Sequence, residues 1–507
     1  MRTTAFLDRY DAWLILAATV YLYASLFATP STPYLLGGDQ VFFWMDGLRL
    51  LHGAEVYRDF FQFTPPGIDF VYFGAFKLFG ARLWVPNLVV LLLGVTLSFV
   101  CLRTARQIMA LPRAALALAL YLVFVIGLTL DGTHHWFSLL MVMIAVLVLQ
   151  QGETLARIAI AGCLLGIATF FTQTRGPAAA VAIAAWLMWL GARTEQRWRD
   201  RLKRVALLMV ALVVTWGVLS SHYILTLGLR SLWFHQATYV HDYVVSGWNA
   251  MSIGFPDHLS RGIVLYVARW GFAYLALPIV LGLSLWHCSR IARDGATDRM
   301  KPVVLLVLVA AALFAEVAVS PSWFRLFCIS LPAVILLVWL FGCMGNYETL
   351  ATRVLWIGVV SLACLQVAYA HWTFSAVAEL PAGRIATTPQ AAEKWIWLAA
   401  HTKPGEYLLQ AEWPSAYLPL GLRNPIYLDI VASAGASKLG YLTRAMRELD
   451  AKRVRYIVQS PGFAIPEFHE YLQARYRLVH TFADHDEVWE RREDETMTNT
   501  PISAPQT

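Results

Sequence analysis

The side chains equipped for chemistry in this sequence are a few acids, one paired histidine and some arginines, each close to long apolar runs. Asp39 stands in Gly37-Gly38-Asp39-Gln40. Such an Asp can cap a helix or present a carboxylate to a substrate. Arg58 and Asp59 follow in Gly53-Ala54-Glu55-Val56-Tyr57-Arg58-Asp59. Asp59 reads either as a turn residue paired with Arg58 or as an acceptor or metal contact. Asp131 and His134 lie in Asp131-Gly132-Thr133-His134-His135, a polar cluster that can contact substrate or a divalent cation, or simply cap the next helix. No further ligand is spaced to complete a metal site, so the metal stays undefined. Arg175, in Thr172-Gln173-Thr174-Arg175-Gly176, and Arg325, after Ser320-Pro321-Ser322-Trp323-Phe324, are cations between apolar segments. Each suits a phosphate, or anchors to lipid headgroups.

The elements that position these residues are membrane helices. The chain is 58% hydrophobic and only 14% charged, with a mean hydropathy of +0.55. A soluble domain carries about 25% charged residues, so much of this surface has no need of water. Candidate spans are Ala12–Ala28, Leu83–Leu102, Ala114–Leu130, Trp136–Leu149, Ile158–Phe171, Pro177–Leu190, Val205–Leu227, Ile263–Leu285, Val303–Val319, Leu326–Cys343 and Leu355–Ala370. That makes about eleven transmembrane helices. Basic residues crowd alternate loops: Arg2 and Arg9, then Arg103, Arg106 and Arg113, Arg157, the run from Arg193 to Arg204, Arg290 to Lys301, and Arg353. The positive-inside rule makes those loops and the N-terminus cytoplasmic. The odd number of spans then puts the C-terminus outside. Two long loops, 29–82 and 228–262, fall on the outer face, together with Asp131, Arg175 and Arg325. The positive-inside rule does not account for the two arginines there.

The net charge of +7 fits cytoplasmic loops and is not read as nucleic-acid binding. The six cysteines contain no CxxC pair, so neither a disulfide framework nor a zinc site is expected. The apolar N-terminal run reads as a retained helix rather than a removed signal peptide. The spans occupy 1–371. Residues 372–493 alternate helix and strand, which predicts a small extracytoplasmic α/β domain. Its expected helices are Gln390–His401, Lys438–Leu449 and Glu467–Ala474. Its expected strands are Glu406–Gln410, Pro425–Leu428, Arg455–Gln459, Tyr476–Phe482 and Glu487–Glu490. The polar tail 494–507 reads as disordered.

The first outer loop resembles that of GT-C superfamily glycosyltransferases. It is most similar to bacterial members related to protein O-mannosyltransferases and to the aminoarabinose transferase that modifies lipid A. The resemblance rests on Asp39 just after the first span, on Gly53-Ala54-Glu55-Val56-Tyr57-Arg58-Asp59, on Pro65-Pro66-Gly67 and on Leu78-Phe79-Gly80. It implies a polytopic GT-C-like fold in a bacterial inner membrane. It also implies transfer of a sugar from a polyprenyl-phosphate donor to an envelope glycan, lipid or protein. Asp39 would be the catalytic base, since a fixed carboxylate can take the acceptor's proton. Arg175 and Arg325 would hold the lipid phosphate. Asp131 and His134 would contact substrate. Two departures stand out. Many relatives have Asp-Glu where this chain has Asp39-Gln40. An acidic–basic pair before Pro-Pro is here Phe63-Thr64, for which Arg58 and Asp59 would substitute.

Asp46 and Asp69 read as water-facing residues of amphipathic stretches. Glu316, inside the ninth span, should be protonated or paired with a cavity arginine. His235, Tyr239, His241, Asp242, Tyr243 and Trp248 of the second long loop suit sugar contact, but read mainly as an interfacial belt. No phosphate-loop or nucleophilic-serine signature appears. The rival readings are a lipid or glycan transporter or flippase, and a polymerase or ligase acting on lipid-linked oligosaccharides.

Overall fold

The computed structural model describes residues 9–245, 269–293, 300–343, 348–431, 440–460, 463 and 465–492. The tail 494–507, Trp248 and Lys438 lie outside them. The chain opens with α1 (Arg9–Leu26) and a short antiparallel pair, β1 (Phe27–Thr29) and β2 (Thr32–Pro33). The first long loop then folds into two amphipathic helices, α2 (Gln40–Leu51) and α3 (Gly67–Phe79). The apolar runs that follow form α4 (Trp84–Arg106), α5 (Leu111–Leu120), α6 (His134–Gln150), α7 (Leu155–Phe171), α8 (Arg175–Arg193) and α9 (Trp198–Leu227). After the second long loop come α10 (Leu277–Arg293), α11 (Lys301–Val317), the short α12 (Trp323–Phe327), α13 (Leu331–Phe341) and α14 (Glu348–Thr373).

The protein is an integral membrane protein, mostly helical. Six of the described helices are long and apolar enough to cross a membrane by length and composition, and three shorter apolar ones are α6, α7 and α13. The short helices pack within the bundle, where Leu22, Tyr121, Trp136 and Trp186 are fully buried. Neighbouring helices rather than lipid surround much of their length. Asp11 is buried at the start of α1 and pairs with Arg106 at 2.8 Å and Arg103 at 3.4 Å, fastening α1 to the end of α4.

The C-terminal part begins with a hairpin that the sequence pattern did not announce, β3 (Ala376–Leu380) and β4 (Gly383–Thr387). Then come α15 (Pro389–His401), β5 (Leu408–Gln410), α16 (Tyr441–Ala451), β6 (Tyr456–Gln459), α17 (Pro466–Arg475), β7 (Tyr476–Thr481) and β8 (Glu487–Arg491). The sheet order is β5-β6-β8-β7, with β5 and β6 parallel and the other pairs antiparallel. Thr388 caps α15 by accepting from Ala391 N. This layer shares one apolar core with the first long loop, in which Phe43, Trp44 and Tyr72 meet Ile385, Trp395 and Tyr417. Leu35 N donates to Ala386 O at 2.9 Å across the same junction. The two therefore lie on one side of the bundle.

The expected strand Pro425–Leu428 does not form. Three of its carbonyls, those of Pro425, Ile426 and Leu428, are taken by side chains, and that of Tyr427 accepts from Phe61 N at 2.8 Å, so no ladder forms. Arg49 donates to Ile426 O at 3.2 Å and Leu428 O at 3.0 Å, and to Asp429 Oδ1 at 3.0 Å. Asn424 also donates to Leu428 O and to Asp429 O. Asp46 and Asp69 do not face water either. Both are fully buried beside Arg49, and both accept from Gln62. Their amphipathic helices turn the polar stripe inward, against the C-terminal part. Burial pushes the Asp46 and Asp69 carboxyls well above the usual carboxylate range and Asp429 up to about 6, with Arg49 pulling the other way.

Each of these pKa values is raised above its unfolded value. The stability they contribute is therefore present at low pH and lost as pH rises through about 6 for Asp429. Thermal melting of the junction should occur at higher temperature at acid pH than at alkaline pH, and Asp429→Asn should flatten that slope. Arg49→Ala leaves buried carboxyls without their cation and should cost on the order of 3 kcal/mol. Limited proteolysis of the C-terminal part reads the loss directly.

Candidate active site

A cavity of about 1400 Å³ opens where the bundle, the two long loops and the C-terminal part meet. Its wall carries Asp39, Asp131, His134, Arg175, Glu316 and Arg325, together with Asp429 and Trp413 from the C-terminal part. Asp39, Arg175 and Arg325, which come from three separate stretches of the chain, all line this one cavity. Asp131 and His134 join them there.

Asp39 occupies the cap position of α2, but its side chain makes no capping bond. Gly38 ahead of it has φ +78°, the left-handed region that glycine tolerates. That turn leaves the carboxylate free to point into the cavity. It is open to the cavity's interior yet ringed by protein mass. Burial raises its pKa, and the nearby Arg325 opposes the rise.

Asp131 is held from one side. Its Oδ2 accepts from Thr133 N at 3.1 Å, Thr133 Oγ1 at 2.7 Å and Trp136 Nε1 at 3.1 Å. Hydrogen bonds to a charged group are worth about 1.5–3 kcal/mol each, which fixes this carboxylate firmly. Burial still pushes its pKa up to about 7, and the charge of Asp39 adds to that. The two acid-bearing loops are joined by Gln40. Its amide donates to Gly37 O at 2.8 Å and Leu130 O at 3.2 Å and accepts from Gly132 N at 3.1 Å. An ionised Glu accepts only, so it cannot make the two donations. The departure from Asp-Glu thus has a geometric role here.

Arg175 opens α8 and is buried. Its Nη1 donates to His135 O at 2.8 Å, and its Nη2 reaches Glu316 Oε2 at 3.5 Å. Glu316 is paired with a cavity arginine, one of the two alternatives for an intramembrane acid. Arg325 lies in α12, where Ser322 Oγ accepts from its backbone N and its own Nη1 donates to Ser320 O at 3.3 Å. Among the described residues, no carboxylate stands in ion-pair contact with Arg325. The Tyr274 hydroxyl donates to Pro321 O at 3.1 Å and braces the same loop. Tyr274 lies in a π-helical turn, Gly271–Ala276, and a second such turn, Phe234–Thr238, brings Gln236 to the cavity wall. Such turns are frequent at functional sites because they re-aim one side chain inside a helix.

Arg58 and Asp59 are not brought to the cavity. Arg58 is exposed and pairs with Glu55 and with Asp59, the latter at 2.9 Å. Asp59 Oδ2 accepts from Glu55 N at 2.8 Å and so closes a turn. The turn reading matches this geometry, and the substrate contact expected of both residues finds no support. Tyr57 of the same stretch is buried, and its hydroxyl donates to Thr64 O at 2.8 Å. His235 packs on Tyr57 and Phe61 and contacts Gln62 O at 3.0 Å, so it holds the first loop. Among the described residues, no group of three His, Cys, Asp or Glu converges as a metal site. Asp39 and Asp131 alone are an incomplete ligand set.

No protein-family model matches the chain, and no curated protein matches it in sequence. Its fold does have solved counterparts. The chain is similar to ArnT from Cupriavidus metallidurans bound to undecaprenyl phosphate, with TM-score 0.58 and 13% identity over 95% of this chain and 97% of that one. It is also similar to the oligosaccharyltransferase of Archaeoglobus fulgidus tethered with an acceptor peptide, with TM-score 0.53 and 11% identity over 97% and 75%. At this identity the likeness shows the fold alone: the chain shares the fold of these two solved proteins.

The closeness of Asp39 and Asp131 has a spectroscopic consequence. Asp131 should titrate at about 7, and Asp39→Asn should lower that midpoint by removing the neighbouring charge. Infrared titration of the protonated carboxyl band reads it, with Asp131→Asn identifying the signal. An unmoved midpoint in Asp39→Asn would separate the two groups.

Proposed function

We propose that this membrane protein is a GT-C-type glycosyltransferase, moving a sugar from a polyprenyl-phosphate donor to an acceptor hydroxyl at the cavity. The observation that carries the reading is the meeting of Asp39 and Asp131 with Arg175 and Arg325 on one wall. A cavity wall with carboxylates and guanidinium groups side by side can serve both ends of a glycosyl transfer. The acceptor oxygen attacks the anomeric carbon and gives its proton to the Asp39 carboxylate. The bond from that carbon to the phosphate oxygen breaks, and its electron pair leaves with the phosphate. The phosphate is charged throughout, so it needs cations more than a proton. Arg325, free of a carboxylate partner among the described residues, is the first of these cations, and Arg175 the second.

Asp131 and His134 line the space between these groups and would orient the sugar. The lipid tail would lie along the apolar rim near Trp233 and Val319, both exposed at the cavity's edge. The loop charges favour placing this chemistry on the outer face of a bacterial inner membrane, with an envelope glycan, lipid or protein as acceptor.

Radiolabelled polyprenyl-phosphate sugars incubated with the full-length protein test the reading. Asp39→Asn should lower the transfer rate by about 10²–10⁴-fold while lipid binding survives. Full transfer by that variant would falsify Asp39 as the base. Arg325→Ala should weaken donor binding by about 10–100-fold. The base must be ionised, so activity rises with pH through the Asp39 titration. Arg325 lowers that pKa, and its loss should move the acid limb of the rate profile to higher pH.

A further inference from the structure

The guanidinium of Arg175 is incompletely used. It is wholly buried, and its Nε has no partner. Its Nη1 is committed to His135 O at 2.8 Å and to Ser138 Oγ at 3.3 Å. Its Nη2 meets Glu316 through a single contact of 3.5 Å. A settled Arg–carboxylate pair is usually bidentate, with N···O distances of about 2.7–2.9 Å. The short bond to Glu316 comes from elsewhere: Thr174 Oγ1 donates to Glu316 Oε1 at 2.6 Å. Thr174 is the cap residue of α8, whose unpaired N–H groups and dipole favour an anion. Glu316, in the last turn of α11, reaches this point across the cavity wall.

We propose that Glu316 is a resident place-holder for the phosphate of the lipid, occupying the anion position at the start of α8 until the phosphate displaces it. The inference rests on the donor-phosphate reading above and adds a role to it. With the cavity empty, Glu316 spares Arg175 the cost of a buried, unpaired charge. A phosphate can engage the free Nε and Nη2 together, which one loose carboxylate contact does not. Two anions cannot share that space, so Glu316 turns toward the cavity as the phosphate settles.

The exchange matters most after transfer. The donor is a phosphodiester with one negative charge. The released polyprenyl phosphate is a monoester and carries about −1.5 to −2 at neutral pH. Arginines alone would hold the product more tightly than the donor. A carboxylate competing for the same guanidinium repels the monoester more than the diester. Glu316 therefore makes product release easier without removing the cations that donor binding needs.

The test uses the full chain in lipid nanodiscs, with undecaprenyl phosphate as the probe and tryptophan fluorescence as the binding signal. Glu316→Gln keeps an acceptor for Thr174 and removes the charge. It should bind undecaprenyl phosphate about tenfold more tightly and be more sensitive to it as an inhibitor of transfer. Glu316→Ala should shift binding the same way, with thermal melting checking that both variants fold. Unchanged or weaker binding in a folded Glu316→Gln, with binding lost in Arg325→Ala, overturns the place-holder and leaves the donor reading standing. Wild-type protein that fails to bind undecaprenyl phosphate overturns both.

Discussion

The placement of one amphipathic helix, α2, governs the cavity. Its first residue, Gln40, ties the loop that bears Asp39 to the loop that bears Asp131. Near its other end Arg49 fastens the C-terminal part through Asp429 and two carbonyls. At 1.5 Å per residue these anchors are about 14 Å apart. The helix is itself held by close packing on α3. A Cβ on Gly47 would stand 2.8 Å from Tyr72 Cβ, so no larger residue fits that crossing without movement. A shift of α2 would move the proposed base, its partner loop and the C-terminal wall together. That coupling explains why so much polar hydrogen bonding is spent on a segment that does not cross the bundle.

The second constraint is electrostatic. Three carboxyl groups, Asp39, Asp131 and Glu316, share the wall with two guanidinium groups, Arg175 and Arg325, and Asp429 adds a fourth carboxyl from the C-terminal part. Fully ionised, that set carries an excess negative charge before any phosphate arrives. Low-dielectric surroundings make such an excess costly. Asp131 relieves it, because its pKa of about 7 lets it hold a proton when a further anion is present. Burial raises the Asp39 carboxyl as well, and Arg325 near it opposes that rise. Arg325 beside Asp39, and the three hydrogen bonds that hold Asp131, thus give different surroundings to two carboxylates that look equivalent in the sequence.

Much of this was legible from residue types alone. Hydropathy placed helices along the expected spans where the chain is described, because a long apolar run has few alternatives to a buried or lipid-facing helix. Leu326–Cys343, however, is broken at 328–330 into the end of α12 and α13, and six of the described helices are long and apolar enough to cross a membrane. Asp39, Asp131, Arg175 and Arg325 could be picked out because each is polar where the pattern demands an apolar or neutral residue. Asp46 and Asp69 were misjudged for the opposite reason. Their helices are amphipathic, but the polar face meets the C-terminal part rather than water, and nothing local encodes that meeting. The β3–β4 hairpin and the irregular course of Pro425–Leu428 have the same origin. Both depend on partners more than 300 residues away, such as the Arg49–Asp429 contact at a separation of 380. Arg58 and Asp59 looked chemical because they sit in a suggestive stretch, yet the stretch is a self-contained turn.

The low identity to the two solved structures, 11–13%, acquires a physical sense from these details. The bundle needs only apolar residues of fitting size along each helix, a demand that very different sequences meet. The polar fastenings are another matter. Gln40 donates to two carbonyls that a carboxylate at the same place would leave unmet, and Glu316 balances an arginine whose charge would otherwise be buried alone. Each such device is local, involving a few side chains, and can be replaced by another without disturbing the helices. The fold therefore persists while the fastenings are rewritten, and a likeness in fold carries the architecture but not the residues that operate it. Those residues have to be argued from this chain's own cavity, where the geometry of Arg175, Glu316 and Thr174 is not implied by anything shared at the level of helices.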